Sequence, residues 1–192
     1  MQVPGVGLAT LIPEVPMKKY LFLLFLAPGM ASAVDGISFE AGKSGNSAEL
    51  YRIGAQWDWN KRWFDAGGWH LGGYWDADIG YWRGKAAIGY NQNITEIGIT
   101  PVFRYERNQP VFGLIPYAEG AVGFHLLSTT QIYLNRKFGS SFQFGDHVGA
   151  GVRFGDRGEY DLGYRFQHLS NGSIKQPNQG INFNQIRFAY HF

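Results

Sequence analysis

The sequence contains no cysteine. That removes both a disulfide framework and thiol chemistry from consideration. Charge is scarce as well, at 17% of residues, where a soluble domain averages about 25%. The net charge of +2 is too small to indicate a nucleic-acid partner. The apolar run Tyr20-Leu21-Phe22-Leu23-Leu24-Phe25-Leu26-Ala27 falls far short of the roughly 20 residues a spanning helix needs. Beyond Val34 no stretch sustains a helical period. What the chain does have is glycine (27 in 192 residues) and aromatic side chains, at 17%. Glycine and aromatic enrichment with few charges fits a membrane β-barrel, where Trp and Tyr form interfacial girdles.

The N-terminus reads as an export segment. Lys18 and Lys19 precede the apolar run, and Pro28 and Ala31-Ser32-Ala33 follow it. A basic start, a short apolar core and an A-x-A site compose a secretory signal peptide; a buried strand is the alternative reading. Cleavage is expected after Ala33, so residues 1–33 are an N-terminal extension plus signal peptide, removed from a mature barrel of residues 34–192. Met17 is a natural start, with 1–16 as an upstream extension.

Two-residue alternation then recurs, which predicts half-buried strands. Tyr51, Ile53, Ala55, Trp57 and Trp59 share one face, with Arg52, Gly54, Gln56 and Asp58 opposite. Similar patterns occupy 69–81 and 97–105, and further candidates lie near 36–44, 115–127, 142–154, 159–170 and 182–192. Eight such segments predict an all-β, eight-stranded antiparallel transmembrane β-barrel of the bacterial outer membrane, with the polar face inward. A β-sandwich would alternate in the same way. Aromatics at the ends of the apolar faces (Trp57, Trp59, Trp69, Tyr81) and the terminal Phe188-x-Tyr190-x-Phe192 favour the barrel. An eight-stranded interior is filled by side chains, so no pore is expected. Connections near 60–68, 107–114 and 155–158 are shorter on average than those near 83–93, 128–141 and 171–181. Short turns are periplasmic in such barrels, which places both termini in the periplasm.

One strand carries an anomaly. Over 159–170, Tyr160, Leu162, Tyr164 and Phe166 share the lipid-facing parity, and His168 and Ser170 continue it. Polar groups facing lipid are costly unless paired. An imidazole beside a serine can accept its proton and make it a nucleophile. Two residues along a strand separates the side-chain bases by about 7 Å, a gap that rotamers or twist can close. The spacing alone fits two polar residues marking a strand end in the headgroup zone better than it fits a catalytic pair.

The surrounding sequence adds a second line. The run His168-Leu169-Ser170-Asn171-Gly172-Ser173-Ile174-Lys175-Gln176-Pro177-Asn178-Gln179-Gly180-Ile181 resembles the lipid A 3-O-deacylase (PagL) family. So do Trp57-Asp58-Trp59 through Gly73-Tyr74-Trp75-Asp76-Ala77, and Phe144-Gly145-Asp146-His147-Val148-Gly149-Ala150-Gly151. The resemblance spans essentially the whole mature chain. It implies an outer-membrane ester hydrolase that removes the 3-linked acyl chain of lipid A, the lipid anchor of lipopolysaccharide. It implies Ser170 as nucleophile, His168 as general base, no cofactor and no metal, and a homodimer as a further expectation.

One position departs from the pattern. The family's acidic third member falls at residue 182, which is Asn182 here. A hairpin centred on Lys175 puts Asn182 across from His168. Asparagine can orient an imidazole but brings no negative charge; an Asp-to-Asn change in a serine-protease triad costs about 10⁴ in rate. Asp146 and Asp161 are the alternative acids, Asp161 with the wrong parity. The oxyanion-donor candidates are Asn171 and Asn178, which are equally ordinary turn residues. Lys175, Arg83, Lys85, Arg136 and Lys137 lie in or beside the long connections, as lipid A phosphate partners or solvated charges. His70, His125, His147 and His191 show no metal-ligand spacing and read as inward or interfacial. Glu119, Arg104 and Arg153 read as interior pairing residues. The rival to an esterase is a non-enzymatic, structural or adhesive small barrel that has lost its catalytic acid.

Overall fold

A computed structural model describes residues 33–45, 47–85, 92–133 and 136–192. The export segment expected over 1–33 lies, except for Ala33, outside the described residues.

The strands are β1 (Gly36–Ser44), β2 (Ala48–Asp58), β3 (Trp63–Ala66), β4 (Trp69–Gly84), β5 (Asn93–Arg107), β6 (Ile115–Leu127), β7 (Gln131–Tyr133), β8 (Arg136–Lys137), β9 (Phe142–Phe154), β10 (Tyr160–Ser170) and β11 (Ile181–His191). The order β2-β1-β11-β10-β9-β6-β5-β4, with β2 pairing back onto β4, closes an eight-stranded antiparallel barrel. Each expected segment became one barrel strand. Several run longer than their alternation: β4 continues to Gly84, and β5 begins at Asn93. Pro101 sits inside β5, where it has no N–H to give. The β5–β6 ladder is interrupted there, between the pairs Ile99–Phe124 and Val102–Ala121, as a proline in a sheet requires. Short β3 extends the β4 edge, and β7 pairs with β8 as a small hairpin.

Both termini lie at one end, since β1 pairs Gly36 with His191 of β11. At that end are the connections 59–68, 108–114 and 155–159. At the other are 45–47, 85–92, 128–141 and 171–180. The Ser47 N–H donates to the Ser44 carbonyl at 2.8 Å, so a short connection joins β1 to β2 at this end too.

The faces are inverted relative to a soluble protein. Ile37, Phe39, Ile53, Ile97, Phe103, Val148, Leu162 and Phe188 point outward and are exposed, while Glu40, Arg52, Arg104, Glu119, Asp161, Arg165 and Arg187 are buried inside. Buried charges persist only when paired, and these are. Arg165 meets Glu119 at 2.6 Å and Glu40 at 2.5 Å, Arg104 meets Asp161 at 2.9 Å, and Arg187 meets Asp161 at 3.0 Å. Tyr117 donates its hydroxyl proton to Asp161 at 2.6 Å. Arg104 and Glu119 pair at 2.8 Å, and Arg153 approaches Glu106 at 3.6 Å.

All four interior-parity histidines, His70, His125, His147 and His191, are buried. The ligand-type atoms of His125, Asp78 and Glu96 lie within 4.8 Å of one another, a proximity the sequence spacing does not show. Arg52 is ion-paired to both Asp78 and Glu96, so a guanidinium already supplies the cation there.

The interior is not polar throughout, which corrects the simple polar-inside expectation. Toward the end away from the termini it becomes an apolar plug of Leu50, Trp82, Ile94, Leu127, Leu169, Ile181 and Phe183. Ile132 and Phe138 of the 128–141 connection close it. Each fully buried large side chain of this kind is worth about 1.5–3 kcal/mol. The plug anchors the last residues of β10 and the first of β11, so it holds rigid the strand ends that carry the candidate site.

Candidate active site

His168 and Ser170 are on the outward face of β10, continuing the row Leu162, Tyr164, Phe166. Both are half-buried, between the fully buried neighbours Gln167, Leu169 and Asn171. Asn182 is outward on β11, and the antiparallel register pairs it directly with His168. The side chains meet: His168 Nδ1 lies 2.5 Å from Asn182 Oδ1. An oxygen acceptor at Nδ1 requires the proton on Nδ1. That fixes the tautomer and leaves the Nε2 lone pair free to accept a proton.

The ring also rests on Gly180, which ends the connection with φ of +59°. A Cβ at that position would stand 2.8 Å from His168 Cε1 and 3.2 Å from Nε2. Glycine is therefore needed twice, for the left-handed backbone and for the space the imidazole occupies. The carbonyl of Gly180 accepts a hydrogen bond from Arg136 Nη2, and Phe138 bridges to Asn178. The 128–141 connection thus clamps the 171–180 connection from above.

Ser170 pairs across the sheet with Phe144 of β9. Its hydroxyl makes no hydrogen bond to His168 or to any other described residue. After it, Asn171 turns inward and is fully buried. Its amide nitrogen donates to Asn178 Oδ1 at 3.0 Å and its Nδ2 donates to the Lys175 carbonyl at 2.6 Å. Asn178 Nδ2 donates to Ser173 Oγ at 3.3 Å. The two asparagines therefore brace the loop. Gly172 (φ +61°) and Ser173 (φ +64°) follow in consecutive left-handed conformations. Their backbone N–H groups have no acceptor among the described residues. Successive free N–H groups in a turn form a concavity suited to a negative oxygen. The Gly-Ser dipeptide is the sequence trace of this feature, which reading for asparagine side chains overlooks.

Asp161 is inside the barrel, held by Arg104, Arg187 and Tyr117. Asp146 is outward on β9, and the register places it opposite His168 on the side away from Asn182. Arg136 is turned to Gly180 and Lys85 to Glu49, while Arg83, Lys137 and Lys175 are exposed. A groove of about 610 Å³ on the outer surface begins beside His168 and Asp146. Gly120 and Ala121 floor it, and Phe103, Val148 and Phe166 wall it. Gly120, without a side chain on the outward face, leaves the depression between these bulky residues.

The sequence model of the family described as lipid A 3-O-deacylase (PagL) matches residues 49–191. Lipid A deacylase PagL of Pseudomonas aeruginosa is 36% identical over 171 residues, covering 86% of this chain and 94% of that protein. Lipid A deacylase PagL of Bordetella bronchiseptica is 31% identical over 119 residues, 62% of this chain and 58% of that protein. The crystal structure of the outer membrane enzyme PagL superposes with a TM-score of 0.71 at 32% identity, covering 82% of this chain and 99% of that one. The chain belongs to the lipid A 3-O-deacylase (PagL) family.

Proposed function

We propose that this barrel hydrolyses the ester-linked acyl chain at the 3-position of lipid A, with Ser170 as nucleophile and His168 as general base. The observation that carries the reading is the His168–Asn182 hydrogen bond on the outward face. It is an oriented imidazole with a free Nε2, two residues from a serine, on a surface of apolar side chains. With both termini in the periplasm, that surface patch lies beside the outer leaflet, where lipid A resides. Substrate arrives laterally and no pore is required.

The chemistry follows from the donors present. Ser170 Oγ attacks the acyl carbonyl as its proton passes to His168 Nε2. The oxyanion that develops meets the free N–H groups of Gly172 and Ser173, and such donors act most strongly where water is excluded. The tetrahedral species collapses, and Nε2–H protonates the departing sugar oxygen. Water, deprotonated in turn by Nε2, cleaves the acyl-serine ester and releases a free fatty acid. The outer groove beside His168 accommodates an acyl chain. In the free protein the Ser170–His168 hydrogen bond is unmade; rotation of the Ser170 side chain has to close it when substrate binds, as apo active sites commonly require.

A second reading, a barrel without catalysis, is favoured by the neutral Asn182 at the position of the acid. The two are separated by incubating purified protein with lipid A in detergent and weighing the products. Loss of one hydroxyacyl mass with release of the fatty acid supports the hydrolase. Unchanged lipid A supports the inert barrel, and a gain of one acyl mass would make it an acyltransferase instead.

A further inference from the structure

We infer that Asp146 supplies the negative charge that Asn182 cannot, acting on His168 from β9 as a positioning residue; this rests on the Ser170–His168 reading above. The outward-facing carboxylates of the described barrel strands are Glu49 and Asp146. Glu49 is ion-paired with Lys85. Asp146 has no hydrogen-bond or ion-pair partner among the described residues, although Phe144 and Val148 flank it on β9 and Val122 stands opposite on β6. A bare carboxylate on an apolar, lipid-facing surface is costly. The register gives it one neighbour able to become a cation, His168.

Directly opposed residues in an antiparallel pair hold their Cβ atoms about 4.5–5.5 Å apart. From that spacing a side-chain rotation of Asp146 brings its carboxylate within the about 4–6 Å over which an opposite charge stabilises an ionised group. The other groups around His168 do not compete. From β11 come the neutral Asn182 and Asn184, and Asn184 accepts a hydrogen bond from Tyr164 of β10 at 2.5 Å. From the connections come Arg136, committed to the Gly180 carbonyl, and the exposed Lys175. Both are cations and would oppose a charged imidazole, so the carboxylate that offsets them has to come from β9.

The work is thereby divided between two strands. Asn182 holds Nδ1–H and so sets the tautomer. Asp146 faces the ring from the other side and stabilises the imidazolium formed when Ser170 gives up its proton. No proton moves to Asp146; the proton on Nε2 goes on to the sugar oxygen. Asp146 and His168 also border the same outer groove, so the charge lies where the substrate ester has to approach.

The test uses the full barrel in detergent with lipid A, folding of each variant being verified by its heat-dependent gel mobility. Asp146→Asn keeps the side-chain shape and removes the charge. Its kcat is expected to fall about ten- to hundredfold with KM little changed. Adding Asn182→Glu to Asp146→Asn is expected to restore the rate, because a carboxylate then acts from the other strand. Parental kcat in Asp146→Asn, or a double variant no faster than Asp146→Asn alone, overturns the inference. Activity surviving Ser170→Ala would instead overturn the underlying reading, and this assignment with it.

Discussion

Gly180 offers the sharpest local perturbation, because one added methyl group acts on two measurable quantities. At φ +59° an alanine carries a left-handed backbone penalty of about 1–2 kcal/mol. Its Cβ would also stand 2.8 Å from His168 Cε1 and 3.1 Å from the Leu169 carbonyl. Leu169 is fully buried in the apolar plug and cannot retreat, so the imidazole has to give. Ordinary van der Waals separation requires the ring to move by more than half an ångström, away from Gly180. A misplacement of about 1 Å at a reacting group costs about 10²-fold. Gly180→Ala is therefore expected to lower kcat by about ten- to hundredfold while the barrel stays folded, its stability reduced by no more than the backbone penalty. The assay is deacylation of lipid A in detergent, run beside urea unfolding of the same preparation. Parental kcat in a folded Gly180→Ala barrel would refute the claim that the His168 ring is placed by packing against this glycine.

The remaining expectations concern the orienting bond, the clamp and the interior. Asn182→Ala removes the acceptor at Nδ1; one hydrogen bond is worth about 1 kcal/mol, so kcat should fall about five- to tenfold, measured by fatty-acid release. Arg136→Ala frees the Gly180 carbonyl and loosens the 171–180 connection. It should lower kcat and speed proteolytic cleavage within that connection, with the melting behaviour of the barrel little changed. Arg165→Ala leaves Glu40 and Glu119 short of a partner within the barrel and should cost about 3 kcal/mol or more, read by urea unfolding. Any barrel of that variant that does fold should deacylate at the parental rate, since Arg165 faces away from the site.

The barrel was legible because period-two alternation is the one pattern its strands can carry. Parity alone put His168, Ser170 and Asn182 on the lipid-facing side, and the symmetry of a hairpin about Lys175 paired residue 182 with His168. The apolar plug was hidden because Leu50, Trp82, Leu169 and Phe183 occupy the same parity as Arg52, Asp78, Gln167 and Gln185. Near the loop end the pattern inverts: apolar Leu50, Trp82, Ile94 and Leu169 turn inward while polar Glu49, Arg83, Thr95 and Ser170 turn outward, so a rule of polar inside fails there. Strands β3, β7 and β8 are too short to show a period. Asp146 opposite His168 depends on the register across the 155–159 turn, which no local pattern encodes. The clamp of Arg136 on Gly180 depends on how two separate connections fold over each other, and sequence alone offered Arg136 as a lipid A phosphate partner or a solvated loop charge.

The central claim is that Ser170 on the outer wall of this barrel is an activated nucleophile. Mass spectrometry after exposure to a lipid-like phosphonate ester tests it most directly, since such reagents modify a serine only when a base has activated it. The account predicts one covalent adduct on the peptide bearing Ser170, lost in Ser170→Ala and strongly slowed in His168→Ala, in parallel with deacylation of lipid A. An unmodified Ser170 in protein that still deacylates lipid A, or deacylation that persists in Ser170→Ala, would contradict it.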